Sequence, residues 1–156
     1  RAYQMMSQVS GRAGRKKQGK VIIQTYEPYH PIIRQVMDNN YIEMYDDEIE
    51  QRKKFHYPPF CRLISFTFKH KDQHKLNAGA DEFVKGLKQK FGNRVLGPEF
   101  PAIARIKNTY HKKALLKIER EISIHTTRKL ILEVKNQFEA FSPNKSVRII
   151  IDVDPY

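Results

Sequence analysis

Hydrophobic positions between residues 60 and 153 recur with two different spacings, which alternate along the chain. Residues 60–69 hold aromatic and β-branched side chains, which predicts a strand, and residues 72–91 hold apolar side chains every three or four positions, which predicts a helix. Five more segments are predicted in the same way: an irregular strand over 94–96 and 102–107, a turn at 108–112, a strand containing Ala114, Leu116 and Ile118, a helix over 126–141, and a strand over 147–153. The order strand-helix-strand-strand-helix-strand predicts an α+β domain over residues 56–156. We expect an antiparallel sheet with both helices on one side, the ferredoxin-like βαββαβ arrangement.

The first 55 residues follow a different pattern. Residues 1–10 have helical spacing, and a polar stretch with glycines separates them from the apolar run Val21–Tyr26, which predicts a buried strand. A helix, a turn and a buried strand in this order are typical of the end of a RecA-like lobe, so we assign residues 1–27 to the C-terminal edge of such a lobe. Residues 28–55 predict a helical connector that begins among prolines and ends before Pro58.

The chain has a formal net charge of +12, and the basic excess lies in one region. Residues 1–50 hold seven basic and seven acidic side chains, whereas residues 51–156 hold 22 basic and 10 acidic ones. Such an excess favours a polyanionic partner, nucleic acid above all. The single cysteine, Cys61, excludes a disulfide or a cysteine-rich zinc site within these residues, and we predict no metal site. No apolar run is long enough to cross a bilayer and no signal-peptide pattern is visible, so we expect a cytoplasmic protein without a membrane partner.

Residues 8–15 carry the most specific chemistry of the chain. Their pattern, Q-x-x-G-R-x-G-R, is typical of superfamily 2 helicases and translocases, where it senses the γ-phosphate of ATP. Arg12 and Arg15 lie three positions apart, so a helix would place both on one face, and Gln8 could point the same way. Planar guanidinium groups suit bidentate contact with phosphate oxygens. The alternative is a basic, glycine-containing helix end without a catalytic role.

An ATP site needs more than this motif. Motors of the P-loop type hold the β- and γ-phosphates with a G-x-x-x-x-G-K-[ST] loop and bind Mg²⁺ through acidic residues, and neither pattern occurs in the 156 residues. We therefore expect the chain to be the C-terminal part of a longer enzyme. ATP and Mg²⁺ would act in the full-length parent, and the chain alone would hydrolyse no ATP.

Several short segments in series carry a family resemblance. The Gln8–Arg15 motif is followed by G-K-V-I-I-Q-T-Y at residues 19–26, Y-P-P-F at 57–60, L-G-P at 96–98 and D-V-D-P at 152–155. This combination closely resembles the bacterial primosomal protein N′ (PriA) family over essentially the whole chain. The resemblance implies a parent that is an ATP-dependent 3′-to-5′ DNA helicase, binds stalled replication forks and restarts replication through primosome assembly. The zinc-binding cysteines of the family would lie upstream of these residues.

Roles for the motif residues follow from the same resemblance. Arg15 would stabilise the charge of the transition state, Arg12 would contact the γ-phosphate beside it, and Gln8 would orient the phosphate or the attacking water. Ser10 stands where the family is expected to have alanine.

Two basic surfaces are predicted in residues 56–156. The first would bind single-stranded or forked DNA through phosphate contacts, with Tyr110 and His111 able to stack on an unpaired base; its candidates are Arg62, Arg105, Lys107, Tyr110, Lys112 and Lys113. The second comprises Arg128 and Lys129 at the start of the second helix, where free backbone donors suit a carboxylate. The resemblance implies that this surface receives the acidic tail of single-stranded-DNA-binding protein, and that other primosome proteins are partners. The alternative is solvated surface charge.

Two classes of function remain open at this stage. One is the C-terminal part of a replication-restart helicase, and the other is a stand-alone nucleic-acid-binding module of ferredoxin-like fold without motor activity. A P-loop and an acidic metal motif upstream of residue 1 are required only by the first.

Overall fold

The computed structural model describes residues 1–13 and 19–155. It divides into two compact units, Arg1–Lys54 and Phe55–Tyr156. Within the described residues, no helix combines the length and the apolar character that a membrane span requires.

The described residues of the first unit form three helices: α1 (Ala2–Ser10), α2 (Pro31–Met37) and α3 (Tyr41–Lys54). α2 begins with a proline whose missing N–H is not needed at that position, and the His30 side chain accepts a hydrogen bond from the Ile32 amide at 3.2 Å. The buried Tyr3 ring of α1 meets Tyr41 of α3 edge to face, with centroids 5.9 Å apart. The helices predicted over 1–10 and in the connector are present.

The strand predicted over Val21–Tyr26 is absent from the structure. These residues form neither helix nor strand, and the side chains of Ile22 and Tyr26 are almost fully exposed. A strand of the parallel, buried kind depends on neighbouring strands and covering helices. The described residues of this unit provide no strand to pair with, so the apolar run stays unpaired.

The second unit contains five strands and two long helices. They follow the order β1 (Cys61–His70), α4 (Gln73–Phe91), β2 (Val95–Glu99), β3 (Arg105–Ile106), β4 (Thr109–Glu119), α5 (Ile124–Phe141) and β5 (Arg148–Val153), with a short 3₁₀ turn at Gly92–Arg94. The strands form one antiparallel sheet in the spatial order β2-β4-β1-β5, and β3 pairs with β4 at its start. The predicted α+β class with an antiparallel sheet is confirmed.

The core of this unit lies between one face of the sheet and the two helices. Alternate residues of β1 and β4 point into it, including the fully buried Phe66, Phe68 and Leu116. Phe83 of α4 lies at their centre, with its ring 5.7 Å from Phe66 and 5.6 Å from Phe138 of α5. Asp72 and Ser123 cap the two helices by accepting hydrogen bonds from the Lys75 and Thr126 amides.

The segment between β2 and β4 differs from the prediction. Residues 94–96 and 102–107 do not form one irregular strand, because only Arg105–Ile106 is extended in the second part, as a separate short strand that pairs with the start of β4. The reversal occurs at Lys107 and Asn108, both with positive φ (45° and 61°), as a two-residue hairpin turn requires. Residues 109–112, predicted as turn, are therefore strand, and this decides which side each basic residue faces.

Candidate nucleic-acid interface

The β3–β4 hairpin presents two of the predicted DNA contacts. Arg105 and Lys107 are both exposed. The Arg105 guanidinium donates a hydrogen bond to the Asn108 side-chain carbonyl and lies 5.0 Å above the Tyr110 ring. Tyr110 itself packs against the hydrophobic core. With one ring face covered by Arg105, Tyr110 works here as a support for the hairpin.

Lys112 and Lys113 are neighbours in sequence but lie on opposite faces of the sheet. Lys112 shares the side of Ala114 and Leu116, and only 11% of its side chain is exposed. Its ammonium group lies 3.5 Å from Asp81 of α4 and 5.1 Å from the centre of the Phe100 ring. Lys113 is exposed on the face away from the helices. Lys112 is therefore engaged inside the domain, whereas Lys113 is open to a partner.

Arg62 is distant from the hairpin. It lies near the start of β1 opposite Ile118, while His70 at the other end of β1 lies opposite Tyr110. The two positions are eight residue steps apart along the strand, about 25 Å at ~3.3 Å per residue. The six predicted DNA contacts thus do not form one surface.

Arg62 lies instead beside Arg128, a residue predicted for the other surface. Both line a groove of about 620 Å³ between α5 and the end of the sheet. The lining is largely aliphatic and includes Ile64, Ile118, Ile124, Ile131, Ile151 and Val153. One carboxylate, Asp154, also borders the groove, but it already accepts a hydrogen bond from the Leu63 amide at 3.2 Å. Lys129 is exposed and does not line this groove.

The Y-P-P-F segment is fastened to the sheet by Lys117 of β4. Its ammonium donates a 2.8 Å hydrogen bond to the Phe55 carbonyl and lies 4.1 Å above the Tyr57 ring. The Cys61 thiol donates to the His56 carbonyl at 2.9 Å, and burial raises the pKa of this thiol. A thiol of raised pKa is a weak nucleophile, so Cys61 is a packing residue at this position.

The helicase-type motif lies at the end of α1 and beyond it. Gln8 is exposed on the last turn of α1, and Arg12 is exposed in the turn that follows, its amide bonded to the Val9 carbonyl at 3.1 Å. α1 ends at Ser10, and Gly11 follows it, so Arg12 is not on the helix as the spacing suggested. Arg15 lies outside the described residues, and its predicted role stays a prediction.

Strand pairing also assembles basic residues that the sequence did not single out. Lys69 of β1 and Arg148 of β5 lie on the same face as Lys113, and Lys69 is directly opposite His111. The period-two pattern of the strands indicates which residues share a face of the sheet, but only the register shows which of them become neighbours.

Comparisons with known proteins assign a family to most of the second unit and find similarity along the rest of the chain. Residues 53–156 match the family model described as "Primosomal protein N C-terminal domain". Proteins named "Replication restart protein PriA" are similar over the whole chain: 37% identity in Bacillus subtilis (strain 168), covering 100% of the chain and 19% of the relative, and 35% in Synechocystis sp., covering 99% and 18%. The relative from Haemophilus influenzae is 32% identical over 99% of the chain and 21% of its own length. The chain thus spans about a fifth of the length of these relatives. Taken with the matching residues 53–156, these similarities show that the chain belongs to the family of the primosomal protein N (PriA) C-terminal domain.

Proposed function

We propose that the chain is the C-terminal part of an ATP-dependent 3′-to-5′ DNA helicase that recognises stalled replication forks and restarts replication, and that residues 55–156 are its DNA-binding domain. The observation that carries the DNA-binding role is the set of exposed basic side chains at the hairpin end of the sheet, Arg105, Lys107 and Lys113. The ion pairs among the described residues involve none of the three. Arg105 contacts the uncharged side chains of Asn108 and Tyr110, so the charge of each of the three cations stays available to DNA phosphates.

The motor role is assigned to the parent protein. Gln8, Arg12 and Arg15 would contact the γ-phosphate of ATP at the edge of a RecA-like lobe, with the P-loop and the Mg²⁺ ligands supplied by other parts of the protein. Bound ATP and Mg²⁺ supply the phosphoryl-transfer chemistry, and the arginines of this chain supply charge at the γ-phosphate. Zinc, where present in the parent, belongs to upstream cysteines. The parent would act in the cytoplasm, where replication occurs in bacteria.

The ferredoxin-like assignment of the second unit belongs to the same proposal. The order β1-α4-β2-β4-α5-β5 supports it, as does the arrangement of the sheet with the two halves interleaved.

A protein partner is proposed for the groove between α5 and the sheet. Arg62 and Arg128 can pair with carboxylates, and the aliphatic lining can hold an apolar side chain. The acidic tail of single-stranded-DNA-binding protein fits this description. Other primosome proteins are further partners of the parent.

A second candidate function is a stand-alone nucleic-acid-binding module without motor activity. It is favoured by one observation: residues 55–156 form a compact unit with a core of their own. If the gene encodes a P-loop and an acidic metal motif before residue 1, the chain is part of a helicase and not a stand-alone module.

Fluorescence anisotropy of the 156-residue chain tests both binding roles. A labelled oligo-dT strand should bind more weakly as salt rises, and Arg105→Glu/Lys107→Glu should abolish most of that binding. A labelled acidic peptide with an apolar C-terminus should lose affinity in Arg128→Glu and keep it in the hairpin variant. The control for net charge is Lys85→Glu/Lys88→Glu, two exposed changes on α4, for the hairpin variant, and Lys85→Glu alone for Arg128→Glu. If the wild-type chain binds no DNA even at low salt, the DNA-binding role is wrong.

A further inference from the structure

Three basic side chains lie in one row across the sheet. In the register of the strands, Lys69 of β1 is directly opposite His111 of β4 on one side and Arg148 of β5 on the other. Successive residues of a strand alternate between faces, and the neighbouring Phe68 is buried in the core. The row Arg148–Lys69–His111 therefore lies on the face away from α4 and α5. Adjacent strands are ~4.8 Å apart, so the two outer Cα positions of the row are about 10 Å apart.

The row has no acidic counterpart. The ion pairs of the described residues do not involve Arg148, Lys69 or His111. Lys71 and Lys107 border the same depression, which has a volume of about 550 Å³ and includes the hydroxyl-bearing Ser146 and Thr109. Every charge at this depression is positive, and the other polar groups can donate hydrogen bonds.

Such a row is unfavourable in the free protein. Like charges directly opposite one another on adjacent strands destabilise a sheet. Burial, together with the charges of Lys69 and Lys113, holds the pKa of His111 below its usual value. A polyanion at this position would remove the repulsion, and His111 could then take up a proton. The repulsion that destabilises the free domain is thus the same repulsion that a bound polyanion would relieve.

We propose that the row Arg148–Lys69–His111 is a phosphate-binding subsite for the backbone of single-stranded DNA. The proposal rests on the DNA-binding role of the domain and extends it by Lys69 and Arg148, which were not among its predicted contacts. The hairpin residue Lys107, which borders the same depression, continues the positive surface beyond one end of the row, so that a strand several nucleotides long can follow it. An acidic peptide fits less well here than in the groove at α5, because this depression has few apolar side chains to hold it.

The test combines affinity and stability in the 156-residue chain. Lys69→Ala and Arg148→Ala should each weaken oligo-dT binding about fivefold at ~0.1 M salt, and the double variant about 25-fold, because each lost contact removes ~0.7 from the log-log salt slope of a single strand. Without DNA and at low salt, the double variant should melt at the same temperature as wild type or higher, since repulsion has been removed. Arg148→Lys should retain most of the affinity. Lys85→Ala/Lys88→Ala on α4 is the control for net charge.

The outcomes separate this proposal from the role on which it rests. If wild type binds oligo-dT and the double variant binds within twofold with an unchanged salt slope, the row is not a subsite although the domain binds DNA. If wild type does not bind oligo-dT at all, the DNA-binding role itself fails. If inorganic phosphate at millimolar concentration raises the melting temperature of wild type but oligo-dT does not, the row is a site for a free anion and the DNA assignment is wrong. Should alanine lower the melting temperature, Lys69→Gln and Arg148→Gln, which retain much of each side chain, repeat the affinity measurement in a folded protein.

Discussion

Lys112 and Lys113 offer a direct test of the two faces of the sheet, because adjacent lysines should have separable effects. Replacing Lys112 with alanine removes three buried methylenes, which costs on the order of 2 kcal/mol at ~0.8 kcal/mol for each buried CH₂. The contact with Phe100 adds about 0.5–1 kcal/mol. The pair with Asp81 adds less than about 1 kcal/mol, because the Asp81 side chain is 62% exposed and solvent screens it. The expected loss is therefore about 3 kcal/mol.

Methionine at position 112 separates the stem from the charge. Lys112→Met keeps the buried hydrocarbon and loses only the charge-dependent part, about 1 kcal/mol. In a unit of roughly 100 residues, 1 kcal/mol shifts the melting temperature by about 4–8 °C. Lys112→Ala should thus melt more than about 10 °C below wild type, with Lys112→Met between the two. Lys113→Ala should melt within a few degrees of wild type, as exposed substitutions usually cost less than ~0.5 kcal/mol.

The effects on DNA affinity should be reversed, with a larger loss for the Lys113 variant than for the Lys112 variant. Lys113→Ala should weaken oligo-dT binding about fivefold at ~0.1 M salt, whereas Lys112→Met should bind within twofold of wild type. Thermal unfolding by circular dichroism and anisotropy titration on the same samples measure both quantities. Equal losses of stability in Lys112→Met and Lys112→Ala would refute the argument from the buried stem. Fivefold weaker oligo-dT binding by a correctly folded Lys112→Met variant would show that Lys112 reaches the DNA.

Three further results are expected. In the full-length parent, Arg15→Ala should lower ATP turnover by roughly 10³ while DNA affinity stays nearly unchanged; DNA-stimulated turnover within a few-fold of wild type would contradict its role. The pKa of His111 is depressed in the folded state, so the unfolded chain binds more protons at acidic pH. The domain should therefore lose stability as the pH falls through and below the usual pKa range of histidine. His111→Asn should reduce that loss. Oligo-dT binding should strengthen over the same pH fall, and identical pH profiles for wild type and His111→Asn would count against this. Limited proteolysis should cut within residues 19–30, which contain exposed backbone without helix or strand, and leave a stable product that contains residues 56–156; protection of residues 19–30 in a verified monomer would speak against it.

The pattern of hydrophobic positions predicted the elements of the second unit well, because their burial is decided within that unit. Phe66 and Leu116, for example, pack against α4 and α5 of the same chain segment. The run Val21–Tyr26 has an equally strong pattern, but its pairing depends on neighbours that the described residues do not include. Periodicity reports a tendency to be buried, and only the rest of the fold decides whether burial occurs.

The candidate sites were harder to predict because they depend on register. Arg62 and Arg128 are 66 positions apart in the chain, and no local pattern indicates that both border one groove. Lys112 was predicted to contact DNA as one of the basic residues that flank a hairpin predicted over 108–112. The hairpin turn lies at Lys107 and Asn108 instead, so Lys112 enters a strand and faces the core.

The two-residue turn at Lys107 and Asn108 has a consequence for how the domain can vary. In β4, the even-numbered residues Tyr110 and Lys112 support the core, and the odd-numbered His111 and Lys113 face outward. Core residues and candidate ligand-binding residues therefore alternate along one strand. Lengthening or shortening β4 by a single residue between Tyr110 and Lys113 would exchange the two sets, turning aromatic surface outward and charge inward. Variation in length is therefore expected in the loop before β3, where residues 100–104 form neither helix nor strand, and not within β4. A constant length of β4 keeps its basic side chains on the outer face of the sheet and its core side chains against the helices.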